Sequence, residues 1–258
     1  MKNIAKNEAN LKKRIIRFFD GKSNGRPELS CFIEELLPIG DVLLFGGTLR
    51  DIALYGTKKF KSDIDLVIDT NPESLKILIE NLDIKCKKNR YGGYRTAIGE
   101  WEVDLWPISE TWAFKNNKVK LNDKKSLIKT TLTNWDAIAY SFLENKIICK
   151  ESYFSEITEG LLDVILTENN DEISAIVRVL RSIYDKEAKK LTPRATAYVS
   201  ESLKKWNKEL IFKHQIKTFH KNYFSIADLE ALDNRIGKQQ ISLLDEDLEQ
   251  IQDCFNFK

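Results

Sequence analysis

The 258-residue sequence has few of the residues that build disulfide frameworks or zinc sites. Its 4 cysteines are far apart, at Cys31, Cys86, Cys149 and Cys254. No CxxC pair occurs, which argues against a zinc ribbon or a dithiol redox motif and predicts reduced thiols. The 2 histidines, His214 and His220, are neither a helix-face pair nor at a usual zinc spacing, so they are interpreted as surface residues.

Long apolar stretches are also missing. No run approaches the roughly 20 apolar residues of a transmembrane helix. The first twenty residues carry lysines and arginines but no apolar signal-peptide core, and Ile15, Ile16, Phe18 and Phe19 predict an amphipathic helix there. These absences predict a cytoplasmic protein that does not associate with a membrane.

Positive and negative charges nearly cancel over the whole chain, which has a formal net charge of +2. Residues 1–150 hold 26 Lys and Arg against 20 Asp and Glu, whereas residues 151–258 hold 15 against 19. A polyanion should therefore bind to residues 1–150. Residues 115–129 contain six lysines and one aspartate and form either a solvated loop or a phosphate-binding surface. The candidate RNA contacts in this segment are Lys118, Lys120, Lys124 and Lys125.

Hydrophobic periodicity divides the chain into a mixed front and a helical back, which predicts domains at 1–150 and 151–258. The segments that predict strands are 42–45, 63–69, 94–98 and 101–106. The segments with helical spacing are 48–55, 73–82, 134–145, 172–188, 196–213, 225–235 and 240–255. The predicted fold class is therefore α+β.

Two aspartates, Asp63 and Asp65, stand two residues apart in a predicted strand. Residues at that spacing point to the same face of a sheet, so their carboxylates lie side by side and repel each other. Hard divalent cations, Mg²⁺ above all, satisfy such a pair through oxygen ligands. The alternative is that the two aspartates are ordinary acidic side chains at the edge of a strand, without a metal.

A glycine pair, Gly46-Gly47, joins the predicted strand 42–45 to the predicted helix 48–55. Glycines at such a turn let the backbone approach a phosphate, and the helix N-terminus offers unpaired N–H groups. Followed within twenty residues by the aspartate pair, this turn predicts a nucleoside-triphosphate site with a phosphate part and a metal part. The alternative is a simple tight turn.

These motifs resemble a known family. GGTLRD at 46–51, followed by DID at 63–65, looks like the head domain of the bacterial poly(A) polymerases and CCA-adding nucleotidyltransferases, within the DNA polymerase β superfamily. WEVD at 101–104 is placed like a later strand of that family, which often carries a third carboxylate. TNWDAIAY at 133–140 is similar to its FTINAIAY-type helix, and RVLR at 178–181 to the RxLRAxRF segment of its neck.

The resemblance implies the nucleotidyltransferase fold, a mixed sheet with flanking helices, followed by an all-helical C-terminal region that forms a neck. It also implies Mg²⁺ or Mn²⁺ held by Asp63, Asp65 and a third carboxylate. Asp104 and Glu102 share a strand face, and Asp104 is preferred because apolar neighbours place it in a core strand. A structural salt bridge is the alternative role of Asp104.

The nucleotide-binding residues that follow from these motifs are Gly46, Gly47, Arg50, Ser62, Asp136, Arg178 and Arg181. Arg50 either contacts the triphosphate or locks Asp51 and the sheet in place. Ser62 either donates to a phosphate or caps the strand. Arg178 and Arg181 lie off the apolar stripe of their helix, and either reach the nucleotide or form a solvated, ion-paired face.

The predicted reaction moves a nucleoside monophosphate from a triphosphate such as ATP to a hydroxyl, most of all at an RNA 3′ end. CCA addition itself does not follow, because Asp136 stands where the family usually has Asn and no clear EDxxR motif occurs in the neck. The alternatives are nucleotidylation of a protein or small molecule, and a non-catalytic nucleotide- or RNA-binding module.

Overall fold

The computed structural model of the protein describes residues 4–58, 60, 62–82, 84–89, 92–245 and 255–256. The chain divides into two units. Unit 1 comprises Met1–Thr131 and Trp135–Thr158, and unit 2 comprises Leu132–Asn134 and Glu159–Lys258. The domain limits of 1–150 and 151–258 stay a prediction. Cys254, one of the four predicted thiols, lies outside the described residues, while Cys31, Cys86 and Cys149 are free cysteines.

Up to residue 159 the described residues form six α-helices and seven β-strands. In chain order they are α1 (Glu8–Phe19), α2 (Arg26–Leu36), β1 (Asp41–Phe45), α3 (Gly47–Tyr55), β2 (Ile64–Asp69), α4 (Pro72–Asn81), β3 (Lys87–Lys88), β4 (Tyr94–Ile98), β5 (Trp101–Pro107), α5 (Trp112–Lys115), β6 (Ile138–Ser141), β7 (Lys146–Cys149) and α6 (Tyr153–Glu159). The predicted strands and the helices at 48–55 and 73–82 are confirmed within two residues.

The strands of unit 1 form a mixed sheet in the order β3-β4-β5-β2-β1-β6-β7, counted over the described residues. The neighbours β2 and β5 run parallel, and the other neighbouring pairs run antiparallel. One face of its central strands is apolar and fully buried, with Ile64 and Leu66 on β2 and Val103 and Leu105 on β5. The opposite face carries the acidic residues that alternate with them. The mixed sheet with flanking helices is as predicted.

Helices α1 and α3 are tied together by backbone and side-chain hydrogen bonds. Arg14 on α1 donates from Nη1 to the carbonyls of Ile52 and Ala53, at 3.1 and 2.9 Å. The backbone N–H of Ala5 also donates to the Ala53 carbonyl, at 2.8 Å. These bonds engage carbonyls in the last turn of α3, of which that of Ile52 also accepts from the Gly56 N–H at 3.0 Å. The N-terminal segment thus holds α3 in place.

The helix predicted over 134–145 is wrong. Residues 134–136 form a short 3-10 turn, and β6 and β7 follow as a hairpin. Every residue of β6 is buried, so its run Ile-Ala-Tyr-Ser lacks the polar alternation of a half-exposed strand and reads equally well as a helix. Asn145 closes the hairpin with φ 51° and accepts a 2.7 Å hydrogen bond from the Tyr140 hydroxyl. The left-handed conformation of Asn145 suits a turn.

The lysine-rich segment 115–129 is folded onto the sheet, which rules out a loop that projects freely into solvent. A 3-10 helix spans Lys124–Thr130, and the Asp123 side chain caps its start by accepting from the Ser126 N–H. Leu127 is fully buried. It belongs to an apolar cluster with Leu43, Val67, Ile108, Phe114, Ala139 and Ile148. The segment therefore covers part of the sheet face that also carries the acidic residues.

The four predicted RNA contacts differ in their surroundings. Lys118, Lys120 and Lys125 are exposed. The Lys124 ammonium is instead half-buried, lies 2.6 Å from Asp41 Oδ2 and also pairs with Glu144. Asp41 is 5% exposed and accepts further hydrogen bonds from the Ser141 hydroxyl and the Leu143 N–H. Lys124 is therefore ion-paired within unit 1, and its contact with RNA stays a prediction.

After residue 159 the described residues form four helices and three two-residue strands. They are β8 (Leu161–Leu162), α7 (Glu172–Tyr184), β9 (Lys190–Leu191), α8 (Pro193–Lys205), α9 (Lys208–Phe219), α10 (Ile226–Asp245) and β10 (Phe255–Asn256). The helical character of this region is as predicted. Periodicity did not predict the small sheet, ordered β10-β9-β8.

Two helix boundaries in unit 2 differ from the prediction. The helix predicted over 196–213 is two helices, because Trp206 is extended and the Asn207 side chain caps α9 by accepting from the Glu209 N–H at 2.7 Å. The helices predicted over 225–235 and 240–255 form a single helix, α10, as far as Asp245. Residues 246–254 of the second prediction lie outside the described residues. No helix in the described part of the chain is long and apolar enough to span a membrane.

We expect Lys124→Met to lower the free energy of unfolding of unit 1 by about 2 kcal/mol, because it leaves the buried Asp41 carboxylate without its cation. Urea denaturation followed by circular dichroism measures the loss. Lys125→Met is the matched control, since the neighbouring Lys125 is exposed, and it should change stability by less than about 0.5 kcal/mol. Equal stability of the two variants would contradict the structural role of Lys124.

Candidate active site

Three charged residues form a row across neighbouring strands of the sheet. Asp65 on β2 lies opposite Asp104 on the parallel strand β5, and Asp104 lies opposite Arg95 on the antiparallel strand β4. Residues opposite each other in a sheet project to the same face. Two of the predicted metal ligands therefore stand side by side, although 39 residues separate them in the sequence.

Asp63 and Glu102 extend this row to a cluster of four carboxylates. Asp63 precedes Asp65 by two residues, and Glu102 precedes Asp104 by two, so all four share one face. The Arg95 guanidinium lies among them. Its Nε is 2.9 Å from Asp104 Oδ1 and its Nη2 contacts Asp104 Oδ2, while Asp63 and Glu102 each lie 3.7 Å from one of its amino groups.

The closeness of these charged groups changes the pKa values of Asp63 and Arg95. Partial burial raises the pKa of the Asp63 carboxyl, and the nearby Glu102 and Asp104 carboxylates raise it further, while Arg95 acts in the opposite direction. The hydrogen bond to Asp104 and the surrounding carboxylates raise the pKa of Arg95 above its ordinary value despite partial burial. The charged form of Asp63 is therefore disfavoured in the absence of further positive charge, and a bound cation would favour it.

The donor set fits a hard divalent cation in its chemistry. Asp63, Asp65 and Asp104 offer carboxylate oxygens on one face, and the Asp63 side chain is 53% exposed. In the part of the chain that the structure describes, no group of three or more such side chains is already arranged as a metal site. The Arg95 guanidinium pairs with Asp104 and lies near Asp63. Arg95 therefore competes with a metal ion for these carboxylates.

The predicted phosphate turn lies beside this cluster. Gly46 precedes α3 with φ 62° and ψ −121°, a backbone conformation that residues other than glycine rarely adopt. Its N–H donates to the Ile138 carbonyl at 3.0 Å. The buried Thr48 hydroxyl, in the first turn of α3, donates to the Asp63 carbonyl at 3.0 Å. This bond joins the start of α3 directly to the first aspartate of the pair.

Arg50 is buried in a chain of polar contacts. Its Nε donates to Asp51 Oδ1 at 2.8 Å, and its Nη1 contacts Asp136. Asp51 Oδ2 also accepts a 2.8 Å hydrogen bond from the Ser62 hydroxyl. Burial acts to lower the pKa of Arg50, but Asp136 and Asp51 more than reverse this and leave it raised. These contacts match the second role considered for Arg50, in which it holds Asp51 and the sheet in place. A role for Arg50, Ser62 or Asp136 at the nucleotide stays a prediction.

Comparisons with known proteins agree with this architecture. No protein-family model matches the sequence, and no curated protein matches it significantly. Among solved structures, the Thermotoga maritima CCA-adding enzyme complexed with tRNA has a TM-score of 0.61 at 14% identity, over 86% of this chain and 53% of that one. A tRNA-processing enzyme in an apo form has a TM-score of 0.58 at 17% identity, over 81% of this chain and 56% of that one.

A third structure, a CCA-adding enzyme in complex with ATP, has a TM-score of 0.56 at 13% identity and covers 90% of this chain. The chain has the nucleotidyltransferase fold. It spans 53–56% of the length of the three structures. The predicted resemblance in fold is confirmed.

The predicted neck arginines of the nucleotidyltransferase fold lie on α7 in unit 2. The predicted apolar stripe comprises Ile173, Ile176, Leu180 and Ile183, of which the last three are buried and Ile173 is half-buried, while Arg178 is exposed. The Arg181 Nε lies 3.1 Å from Asp185, and its guanidinium stacks 4.7 Å from the centre of the Tyr223 ring. Arg181 is thus ion-paired within unit 2. A contact of either arginine with a nucleotide stays a prediction.

Two residues of the site, Arg95 and Thr48, were not among those predicted from the sequence. Arg95 alternates with Tyr94 and Thr96 on β4, so its face could be predicted, but its register with Asp104 depends on how the β4–β5 hairpin pairs. Thr48 is the first residue of the predicted helix 48–55, and its bond to the Asp63 carbonyl spans 15 residues. Neither contact has a signal in local spacing.

We expect Gly46→Ala to reduce the free energy of unfolding of unit 1 by about 1–3 kcal/mol, because alanine is strained at φ 62°, ψ −121°. Gly47→Ala is the matched control. Its backbone is not at positive φ, and an added Cβ would meet only the end of the Arg50 side chain, 3.3 Å away. Denaturation curves of both variants measure the difference. A Gly46→Ala protein as stable as Gly47→Ala would show that the turn tolerates a side chain.

Proposed function

We propose that the protein is a cytoplasmic, metal-dependent nucleotidyltransferase, which moves a nucleoside monophosphate from a triphosphate such as ATP to the 3′ hydroxyl of an RNA and releases pyrophosphate. The observation that carries the proposal is the convergence of Asp63, Asp65 and Asp104 on one sheet face. Thr48 links this cluster to the glycine turn. A nucleoside triphosphate needs both the glycine turn, for its phosphates, and the carboxylates, for its metal ion.

The chain's own residues have distinct tasks in this reaction. Asp63, Asp65 and Asp104 would hold Mg²⁺ or Mn²⁺, which when bound activates the acceptor hydroxyl and stabilises charge on the leaving pyrophosphate. The N–H groups at the start of α3, which follows Gly46, would bind phosphate oxygens. The acceptor oxygen bonds to the α-phosphorus while the bond from that phosphorus to pyrophosphate breaks. Such transfer depends on positioning and electrostatics, so a nucleophilic side chain is unnecessary.

Two observations support RNA as the acceptor. Solved structures with this fold include one complexed with a primer tRNA and an incoming ATP analogue. Residues 1–150 carry the excess of basic residues, and Lys118, Lys120 and Lys125 are exposed on a folded segment that covers part of the same sheet face. Basic side chains on such a surface suit a polyanionic acceptor.

A protein or small-molecule acceptor is the second candidate. Residues 151–258 hold 15 basic against 19 acidic residues, and an acidic surface suits a cationic acceptor better than RNA. Incubation of the protein with Mg²⁺, labelled nucleoside triphosphates and total cellular RNA distinguishes the two candidates. Label in RNA supports the first candidate, and label that stays in protein or small molecules supports the second.

We expect Asp63→Asn and Asp65→Asn each to reduce nucleotide transfer by at least a hundredfold, because each removes a charged ligand of the metal. Both variants should stay folded, since neither side chain belongs to the buried core. Transfer of label from radiolabelled ATP to RNA measures the loss, and a thermal melt confirms folding.

Asp69→Asn is the matched control for both variants. Asp69 is an exposed aspartate at the far end of the same strand and projects to the same face as Asp63 and Asp65. Its substitution should leave transfer within a factor of two of the unmodified protein. A fully active Asp65→Asn protein would contradict the metal centre, as would an Asp69→Asn protein that is equally inactive.

We expect the triple change Lys118→Ala, Lys120→Ala and Lys125→Ala to weaken binding of single-stranded RNA and to make its salt dependence shallower. Each lysine that neutralises a phosphate contributes about −0.7 to the slope of log K against log salt, so the slope should change by about 2. Fluorescence anisotropy at several salt concentrations measures it. The control replaces three exposed lysines of unit 2, Lys204, Lys217 and Lys221, with alanine. Identical slopes in the two triple variants would show that the lysine segment does not contact RNA.

A further inference from the structure

Arg95 has no task in the transfer reaction as proposed, yet it lies at the centre of the carboxylate cluster. Both oxygens of Asp104 are engaged by its guanidinium, one by Nε at 2.9 Å and the other by Nη2. Asp63 lies 3.7 Å from the same Nη2. The Arg95 guanidinium thus lies between two predicted metal ligands, Asp104 on β5 and Asp63 immediately before β2.

The charges of the cluster do not balance with Arg95 alone. Among the ion pairs of the described residues, Arg95 supplies one positive charge to three carboxylates, those of Asp63, Glu102 and Asp104. The surplus of negative charge favours a second cation at this face, and a divalent ion more than a monovalent one. The cluster therefore both holds Arg95 and attracts the ion that would compete with it.

Arg95 and a metal ion compete for Asp104, because both are cations that bind the same two oxygens. A metal ligand oxygen lies about 2.1 Å from Mg²⁺, so an ion on Asp104 would lie beside the guanidinium and repel its positive charge. Arg95 is half-exposed, at 52%, and so has room to move. Metal binding at Asp104 therefore favours exchange of one cation for another.

Glu102 is placed to receive the guanidinium. It lies 3.7 Å from Arg95 Nη1 and is 63% exposed, and it stands two residues from Asp104 on the same face of β5. A small rotation of the Arg95 side chain would bring it from Asp104 to Glu102 while leaving its backbone on β4. Glu102, which is one of the two candidates for the third carboxylate, thereby has a distinct role.

We propose that Arg95 is the resident counter-ion of the carboxylate cluster, that a divalent cation displaces it from Asp104, and that Glu102 holds it afterwards. This inference rests on the metal centre of the proposed function. It makes Arg95 a residue that sets metal affinity and Glu102 a positioning residue for Arg95, and it leaves Asp104 as the third ligand.

The test is a titration of the full chain with Mn²⁺ in the absence of nucleotide, followed by electron paramagnetic resonance of the free ion. Arg95→Gln should bind Mn²⁺ at least tenfold more tightly than the unmodified protein, because no guanidinium has to be displaced. Glu102→Gln should bind it several-fold more weakly, because the displaced guanidinium loses its partner. In the double variant the effect of Glu102→Gln should shrink to less than twofold.

The matched control is Lys87→Gln, since Lys87 is the exposed register neighbour of Arg95 on β3 and its loss removes the same charge. Its Mn²⁺ affinity should change by less than twofold. A thermal melt adds a second readout: without metal, Arg95→Gln should melt below the unmodified protein, and Mn²⁺ should raise its melting temperature by more.

Equal or weaker Mn²⁺ binding by Arg95→Gln would overturn the inference while leaving the metal centre and the proposed function intact. An effect of Glu102→Gln that persists undiminished in the double variant would overturn the role of Glu102. If the unmodified protein binds Mn²⁺ as expected but transfers no nucleotide, the proposed function fails and the displacement of Arg95 stands. Absence of Mn²⁺ binding by every variant would overturn both.

Discussion

Repulsion between carboxylates on one sheet face is the constraint on which the rest of this site depends. The parallel pairing of β2 with β5 sets Asp65 beside Asp104, and the two-residue period of strands adds Asp63 and Glu102. Four like charges at such spacing are costly unless cations lie among them. In the chain alone, Arg95 supplies part of that compensation. The acidic cluster therefore favours a cation on this face, and the Arg95 guanidinium is the cation found there among the described residues.

The surrounding contacts hold this cluster next to the glycine turn. Thr48 bonds the first turn of α3 to the Asp63 carbonyl, and Asp51 accepts from Ser62 immediately before Asp63. Arg50 continues the chain to Asp136. Each buried polar group in this series has a partner from another element, so the start of α3 and the start of β2 are fixed as one body. A phosphate bound at α3 would therefore lie at a defined distance from the carboxylates.

Most of the local structure of this site could be predicted from the sequence. Gly46, Asp63 and Asp65 stand in a short segment whose strand, turn and helix signals are strong. The resemblance points to the strand of Asp104, and apolar neighbours favour Asp104 over Glu102 as the third ligand, a role that stays a prediction. The position of Arg95 could not be predicted, since it depends on pairing between strands. The strand β6 was mistaken for a helix because burial of both its faces removes the polar alternation by which strands are recognised. Lys124 looked like its neighbours in sequence, and only the fold reveals its partner Asp41.

The central claim is that Asp63, Asp65 and Asp104 jointly hold a divalent cation at the triphosphate. Anomalous diffraction from crystals grown with Mn²⁺ and a non-hydrolysable ATP analogue tests it most directly. The account predicts an anomalous peak within coordination distance of oxygens from all three aspartates and from the analogue's phosphates, with Arg95 moved away from Asp104. A peak elsewhere, or Arg95 still paired with Asp104 while the analogue is bound, would contradict it.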